Sequence, residues 1–282
     1  MTLQNEVIFW FDKNKRDLPW RNTSPWGVVV SEFMLQQTPV VRVLPQWISW
    51  MQRWPTPQAL AKATPAEVIT AWGRLGYPRR ALRLHECATI ISRDFKGKVP
   101  QTELELLALS GIGEYTSAAI MAFTFGQRSL VLDINIRRLF SRVLDGIDIP
   151  KQTATLKEKE LRRRLIPSDN PDLWAAATME LGALLCTSRK PRCDECPIKA
   201  RCLWRANGYP ESGTVRKVQT WHGTDRQCRG VIVQALRENV SLTELALKQL
   251  WKKDSQVEKA LSSLQKDGLI AATDQGQYCL PH

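Results

Sequence analysis

The chain has 282 residues, 43% of them hydrophobic, which is enough for one large domain or two ordinary ones around a real core. Its net charge of +12 favours a polyanionic partner through counterion release, and nucleic acid is the expected one. No apolar run approaches the roughly 18 residues of a membrane span. The opening "MTLQNEVIFWFDKNKRDLPW" sets charges close behind its only apolar patch, so neither a membrane protein nor a cleavable leader is expected, and a cytoplasmic location is.

From Leu3 to about Ala206 the pattern is helical. Apolar residues recur at spacings of three and four in "AEVITAWGRLGY", "RALRLHECATIISRDF", "ELELLAL" and "YTSAAIMAFTFG". No clean alternation marks a strand there, and Pro and Gly punctuate the run at Pro55, Gly76, Pro100, Gly111, Gly113, Gly126 and Pro150. The expectation is an all-α catalytic body over residues 1–208. Turn formers and charges without periodicity then predict a linker over 209–224. Residues 225–282 predict three short helices, "GVIVQALREN", "SLTELALKQLW" and "SQVEKALSSLQKDG". Two strands around an Asp-Gln-Gly turn follow in "LIAATDQGQYCL", together a winged-helix-like domain. His222 to His282 carries a net +1 only, so most of the nucleic-acid footprint is expected in the preceding +11; this charge argues against a strong independent DNA reader, and packing on the body or on a protein is at least an equal reading.

Three stretches carry chemistry. "LSGIGEYTSA" places Gly111 and Gly113 between helical patterns, either a plain helical corner or a turn whose unpaired amides cradle phosphate. "VVVSEFMLQQTPVVRV" sets Glu32 among Val28, Val29, Val30, Phe33, Met34 and Leu35. Such a position raises a carboxyl pKa and allows proton donation, unless the residue is an ordinary helix-face glutamate. "CTSRKPRCDECPIKARC" crowds four of the seven cysteines into C-x6-C-x2-C-x5-C. A disulfide framework would be unusual in a reducing compartment, so metal binding is expected. Zinc is one alternative, although only one C-x2-C knuckle is present.

In this order the motifs resemble the helix-hairpin-helix base-excision DNA glycosylases. "LSGIGEYTSA" is similar to their L-P-G-V-G hairpin, and "VLDINIRR" resembles their aspartate segment. "SEFMLQQT" closely resembles the S-E-x-M-L-Q-Q-T of the adenine DNA glycosylases, the MutY family. The cysteine spacing resembles the iron–sulfur loop of endonuclease III. The resemblance implies a two-lobed fold with DNA between the lobes and one [4Fe–4S] cluster on Cys186, Cys193, Cys196 and Cys202. It makes Asp133 the catalytic aspartate, with Asn135 ordering its helix start; the plain alternative for Asp133 is an N-cap, and both can hold. Tyr115 stands where bifunctional relatives have a lysine. A phenol cannot form an imine, so hydrolysis without strand cleavage is expected.

The resemblance further places Arg16, Leu18, Trp20 and Arg21 of "RDLPWR" around the pocket, with Leu35 and Glu180. For Leu18, Trp20 and Leu35 plain core is an equal reading. Gln37 and Thr38 would probe the base opposite adenine, and Tyr77 of "LGYPRR" would wedge into the stack. Arg79 and Arg80 would meet phosphates. The implied activity is hydrolysis of adenine from pairs with 8-oxoguanine or guanine in double-stranded DNA, by a monomer. The alternatives are a thymine or uracil mismatch glycosylase, or an iron–sulfur DNA sensor without chemistry. About sixty C-terminal residues are too few for the Nudix-like domain of many adenine glycosylases.

Overall fold

A computed structural model describes residues 1–211 and 221–282. Residues 212–220, the middle of the predicted linker, lie outside the described residues. Among the described residues the elements are fifteen α-helices and one short antiparallel sheet. The first helices are α1 (Leu3–Asn14), α2 (Pro25–Leu35), α3 (Val40–Arg53), α4 (Pro57–Ala61), α5 (Pro65–Trp72), α6 (Arg79–Asp94) and α7 (Glu103–Leu107). They are followed by α8 (Glu114–Phe125), α9 (Ile134–Leu144), α10 (Leu156–Arg163), α11 (Pro171–Leu184) and α12 (Leu203–Ala206). The C-terminal segment forms α13 (Asp225–Glu238), α14 (Glu244–Gln249), α15 (Asp254–Lys266), β1 (Ala271–Ala272) and β2 (Tyr278–Cys279). No helix among the described residues is long and apolar enough to cross a membrane.

Local chemistry explains many of the helix starts. Threonine hydroxyls accept from the third residue beyond and cap α1 (Thr2), α4 (Thr56), α5 (Thr64), α7 (Thr102), α10 (Thr155), α13 (Thr224) and α14 (Thr243). At α5 the bond is reciprocated by Glu67, a capping box. α9 is capped by Asp133 instead.

The chain divides into two compact units. The first comprises Met1–Val28, Gln101–Ala108 and the described residues of Ile112–Arg216. Its core gathers Val7 and Phe11 of α1, Ala119 and Ala122 of α8, Ile136, Leu139 and Phe140 of α9, and Trp174, Ala177 and Leu181 of α11. The second comprises Val29–Pro100, Leu109–Gly111 and the described residues of Lys217–His282. There α4 and α5 pack on α6, and Trp50 meets Trp54 and Trp72 edge-on, with ring centroids 4.6 and 5.6 Å apart.

The predicted three helices and hairpin are present at the C-terminus. α13 packs on α15, and β1 pairs with β2 in the register Ala271 to Cys279. The apolar core of this module contains Ile69 of α5 as well as Ile232, Val233, Leu247, Val257 and Leu264. The module therefore shares a core with the helical body of its unit, one of the two roles expected for it.

Candidate active site

In the first unit, Asp133 opens α9. One carboxylate oxygen accepts from the Ile136 N–H at 2.6 Å and the other from Asn135 Nδ2 at 2.6 Å. Burial pushes this carboxyl above its ordinary value, against the lowering effects of those bonds and of the Arg138 charge. The donors at the helix start oppose the burial without cancelling it. Asn135 Oδ1 in turn accepts from Arg138 Nη2 at 2.9 Å, and Arg138 also donates to the carbonyls of Gly182 at 2.7 Å and Cys186 at 2.6 Å. Gly182 is obligatory here, since a Cβ would lie 2.7 Å from the Asn135 carbonyl oxygen. Arg138 and Gly182 were not singled out from the sequence. The signal was present in the adjacent Arg137-Arg138 pair, both of which are buried on this helix.

Glu180 on α11 is 2% exposed and is gripped by the "RDLPWR" segment. The Arg16 backbone N–H donates to it at 2.8 Å, Arg16 Nε at 3.0 Å and Nη2 at 2.6 Å, and Arg21 Nη2 lies 3.1 Å away. Burial alone would raise the Glu180 pKa, but the bonds and charges of the two arginines outweigh it and hold the group below its ordinary value. Leu18 is buried, Trp20 is half-buried, and Tyr115 packs partly buried against the core of this unit.

Cys186, Cys193, Cys196 and Cys202 line one cavity. Leu139, Val143, Leu185 and Trp204 supply its apolar wall, while Arg142, Arg192, Lys199 and Arg205 supply cations. Arg142 Nη1 lies 3.5 Å from Cys186 Sγ, and its guanidinium stacks 4.4 Å from the Trp204 ring. Burial, and then the charges of the other three cysteines, push Cys196 up to about 12. Four mutually repelling sulfurs among compensating cations fit a thiolate-ligated cluster, whose metal binding must displace those protons.

In the second unit, Glu32 lies in α2 and is 6% exposed, next to the fully buried Val29, Val30, Phe33 and Met34. Leu35 is half-buried. Gln37 is exposed on a left-handed backbone with φ 55°, while Thr38 is buried. The expectation that Arg80 meets phosphate is overturned. Arg80 is 7% exposed and caps the end of α2, donating to the carbonyls of Phe33 at 3.0 Å, Met34 at 3.2 Å and Gln36. It also donates to Thr38 Oγ1 at 2.9 Å and to the Gly76 carbonyl at 3.1 Å. This desolvation pushes its pKa down to about 10. Arg79 remains on the surface, ion-paired to Asp267 at 3.2 Å.

Tyr77 is 47% exposed on a left-handed backbone with φ 49°, a conformation costing a non-glycine residue about 1–2 kcal/mol. The two hairpin glycines differ. Gly111 has φ 79°, and a Cβ there would lie 2.6 Å from the Phe33 ring. Gly113 is extended, with open space where a Cβ would stand, so backbone freedom is not its reason. It begins α8 with no side-chain cap over the first amides.

Comparisons with known proteins agree with this geometry. Residues 30–165 match the HhH-GPD superfamily of base excision DNA repair proteins, and residues 186–202 match the iron–sulfur binding domain of endonuclease III. The chain is 46% identical over 281 residues to an adenine DNA glycosylase of Mycolicibacterium smegmatis, covering 98% of this chain and 94% of that one. It is 33% identical to a thymine-DNA glycosylase of Aeropyrum pernix, covering 73% of this chain and 95% of that one. The solved structure of a thermostable thymine-DNA glycosylase superposes with a TM-score of 0.66 at 24% identity, over 72% of this chain and 95% of that chain.

Fold and site together define a helix-hairpin-helix DNA glycosylase of base excision repair, with a [4Fe–4S] cluster as its cofactor. Within that class the chain belongs to the adenine DNA glycosylases, which are N-glycosyl hydrolases.

Proposed function

We propose that the enzyme hydrolyses adenine from pairs with 8-oxoguanine or guanine in double-stranded DNA, acting as a cytoplasmic monomer with Glu32 as general acid. The observation that carries this reading is the depth of Glu32, 6% exposed on a helix whose neighbouring residues are apolar and fully buried. Burial is one of the factors by which a protein disfavours the charged form of a carboxyl. Its proton passes to N7 of adenine, and the C1′–N9 bond breaks with its electron pair leaving on the base. The carboxylate of Asp133 stabilises the oxocarbenium-like sugar, as in glycoside hydrolysis. Water adds at C1′ and returns a proton to Glu32. Asn135 and the Ile136 N–H hold the Asp133 carboxylate in place.

Tyr115 replaces the amine nucleophile of bifunctional relatives, so the abasic product stays uncut. Gly111 and Gly113 leave the start of α8 open to a backbone phosphate. Gln37 faces the base opposite adenine with Thr38 anchored behind it by Arg80, Tyr77 replaces the stacking lost on extrusion, and Arg79 adds positive charge beside it. Arg16, Leu18, Trp20, Arg21, Leu35 and Glu180 shape the base pocket, where the buried Arg16–Glu180 pair fixes the entry segment. Cys186, Cys193, Cys196 and Cys202 hold the cluster, which ties its loop together and presents Arg189, Lys190 and Arg192 to phosphate.

The test is a duplex panel carrying adenine, thymine or uracil opposite 8-oxoguanine and guanine, assayed with and without hot alkali. Adenine release that yields strand breaks only after alkali is expected. Release of thymine or uracil alone, the activity named for the Aeropyrum pernix relative, would overturn the reading.

A further inference from the structure

The C-terminal module is fastened to one particular place in its unit. Its core runs on into Ile69 of α5, with Ala66 and Leu82 packed against it. Arg237 Nε donates to the Ile69 carbonyl at 3.1 Å, in the last turn of α5, where a helix leaves carbonyls without internal partners. Asp267, directly after α15, pairs with Arg79 at 3.2 Å and with Arg229 at 2.6 Å. Ile69, Arg79 and Leu82 flank the turn that carries Tyr77. At that turn the exposed guanidinium of Arg226, in the first turn of α13, lies 5.8 Å from the Tyr77 ring centroid. The buried guanidinium of Arg80 lies 5.6 Å from the same centroid. An aromatic ring with two cations within reach, on a backbone conformation that non-glycine residues seldom adopt, is held by its surroundings rather than by its own preference.

We propose that the C-terminal module is a brace for the Tyr77 turn, with Arg226 as a positioning residue that sets the pose of the Tyr77 ring before DNA arrives. The proposal rests on the reading of Tyr77 as the side chain that replaces an extruded base. It gives the module a role its near-neutral charge allows. A brace needs packing and a single well-placed cation, whereas an independent DNA reader needs a basic face.

The experiment uses the full chain and an adenine–8-oxoguanine duplex with 2-aminopurine beside the adenine. Stopped-flow fluorescence reports extrusion for the wild type, Arg226→Ala, Arg226→Lys, Tyr77→Ala and the Arg226→Ala/Tyr77→Ala pair. Arg226→Ala is expected to slow extrusion about two- to fivefold, the size of an exposed cation–π contact, and Arg226→Lys to recover most of it. In the Tyr77→Ala background, removal of Arg226 is expected to have no further effect. Equal slowing with and without Tyr77, accompanied by a shallower salt dependence of Kd, would make Arg226 a direct phosphate contact and overturn the brace. Normal extrusion in Arg226→Ala beside slow extrusion in Tyr77→Ala would overturn the brace and leave the wedge standing. Normal extrusion in Tyr77→Ala would remove the wedge, and the brace with it.

Discussion

Two helices of this enzyme each bury a glutamate, one an ion-paired anchor and the other the proposed general acid. Glu180 on α11 is 2% exposed and Glu32 on α2 is 6% exposed, so depth hardly separates them. Glu180 is met by the backbone and side chain of Arg16 and by Arg21, which together hold it below its ordinary pKa. Glu32 lies in a helical run of valines, phenylalanine, methionine and leucine. Burial therefore does not assign a role to a carboxylate. At Glu180 the guanidinium groups of Arg16 and Arg21 make the carboxylate a structural anion, whereas Glu32 is the proposed acid.

The contrast can be broken most directly at the acid. Glu32→Gln keeps the shape and removes the proton donor; single-turnover adenine release is expected to fall by about 10²–10⁴-fold. Duplex affinity, measured by anisotropy, should stay within about twofold, because this change removes no cation that could meet phosphate. Retained base release would place the two glutamates in the same structural category.

Glu180→Gln is expected to cost about 2–3 kcal/mol in urea unfolding, less than a fully buried pair because Arg16 remains partly solvated. Its pH dependence has a definite sign. A depressed folded pKa stabilises the fold above the ordinary value of 4.5, and that stability is lost as pH falls through the folded value. The gap between wild type and variant should be full at pH 7 and close under acid. A smaller effect, about 1 kcal/mol, is expected for Arg16→Lys, which keeps the charge but loses the two-pronged donation from Nε and Nη2. Equal losses for Arg16→Lys and Glu180→Gln would show that geometry, not charge, makes the pair.

Local patterns were legible in the sequence wherever the cause was local. The helical periodicity, the Asp133 cap and the turn of the terminal hairpin all depend on neighbours within a few residues. Gly111 was legible for the right reason, whereas Gly113 was not, since its extended backbone carries no glycine signature. The adjacent Arg79 and Arg80 read as one basic patch. On a helix they point about 100° apart, so one went outward to Asp267 and the other inward to carbonyls 44 to 47 residues away in sequence. Likewise, nothing in α13 alone reveals that Arg237 finds the end of α5. Partners that arrive from distant chain leave no periodic trace, and the resemblance supplied Glu180 and the pocket segment where spacing could not.

The inward-turned Arg80 has a mechanical consequence. One planar head is bolted to the last carbonyls of the α2 helix and also to the Gly76 carbonyl, one residue before Tyr77. Its six hydrogen bonds tie the segment before Tyr77 to the end of the helix bearing Glu32. The proposed wedge and the proposed acid thus sit on segments that share one fastening.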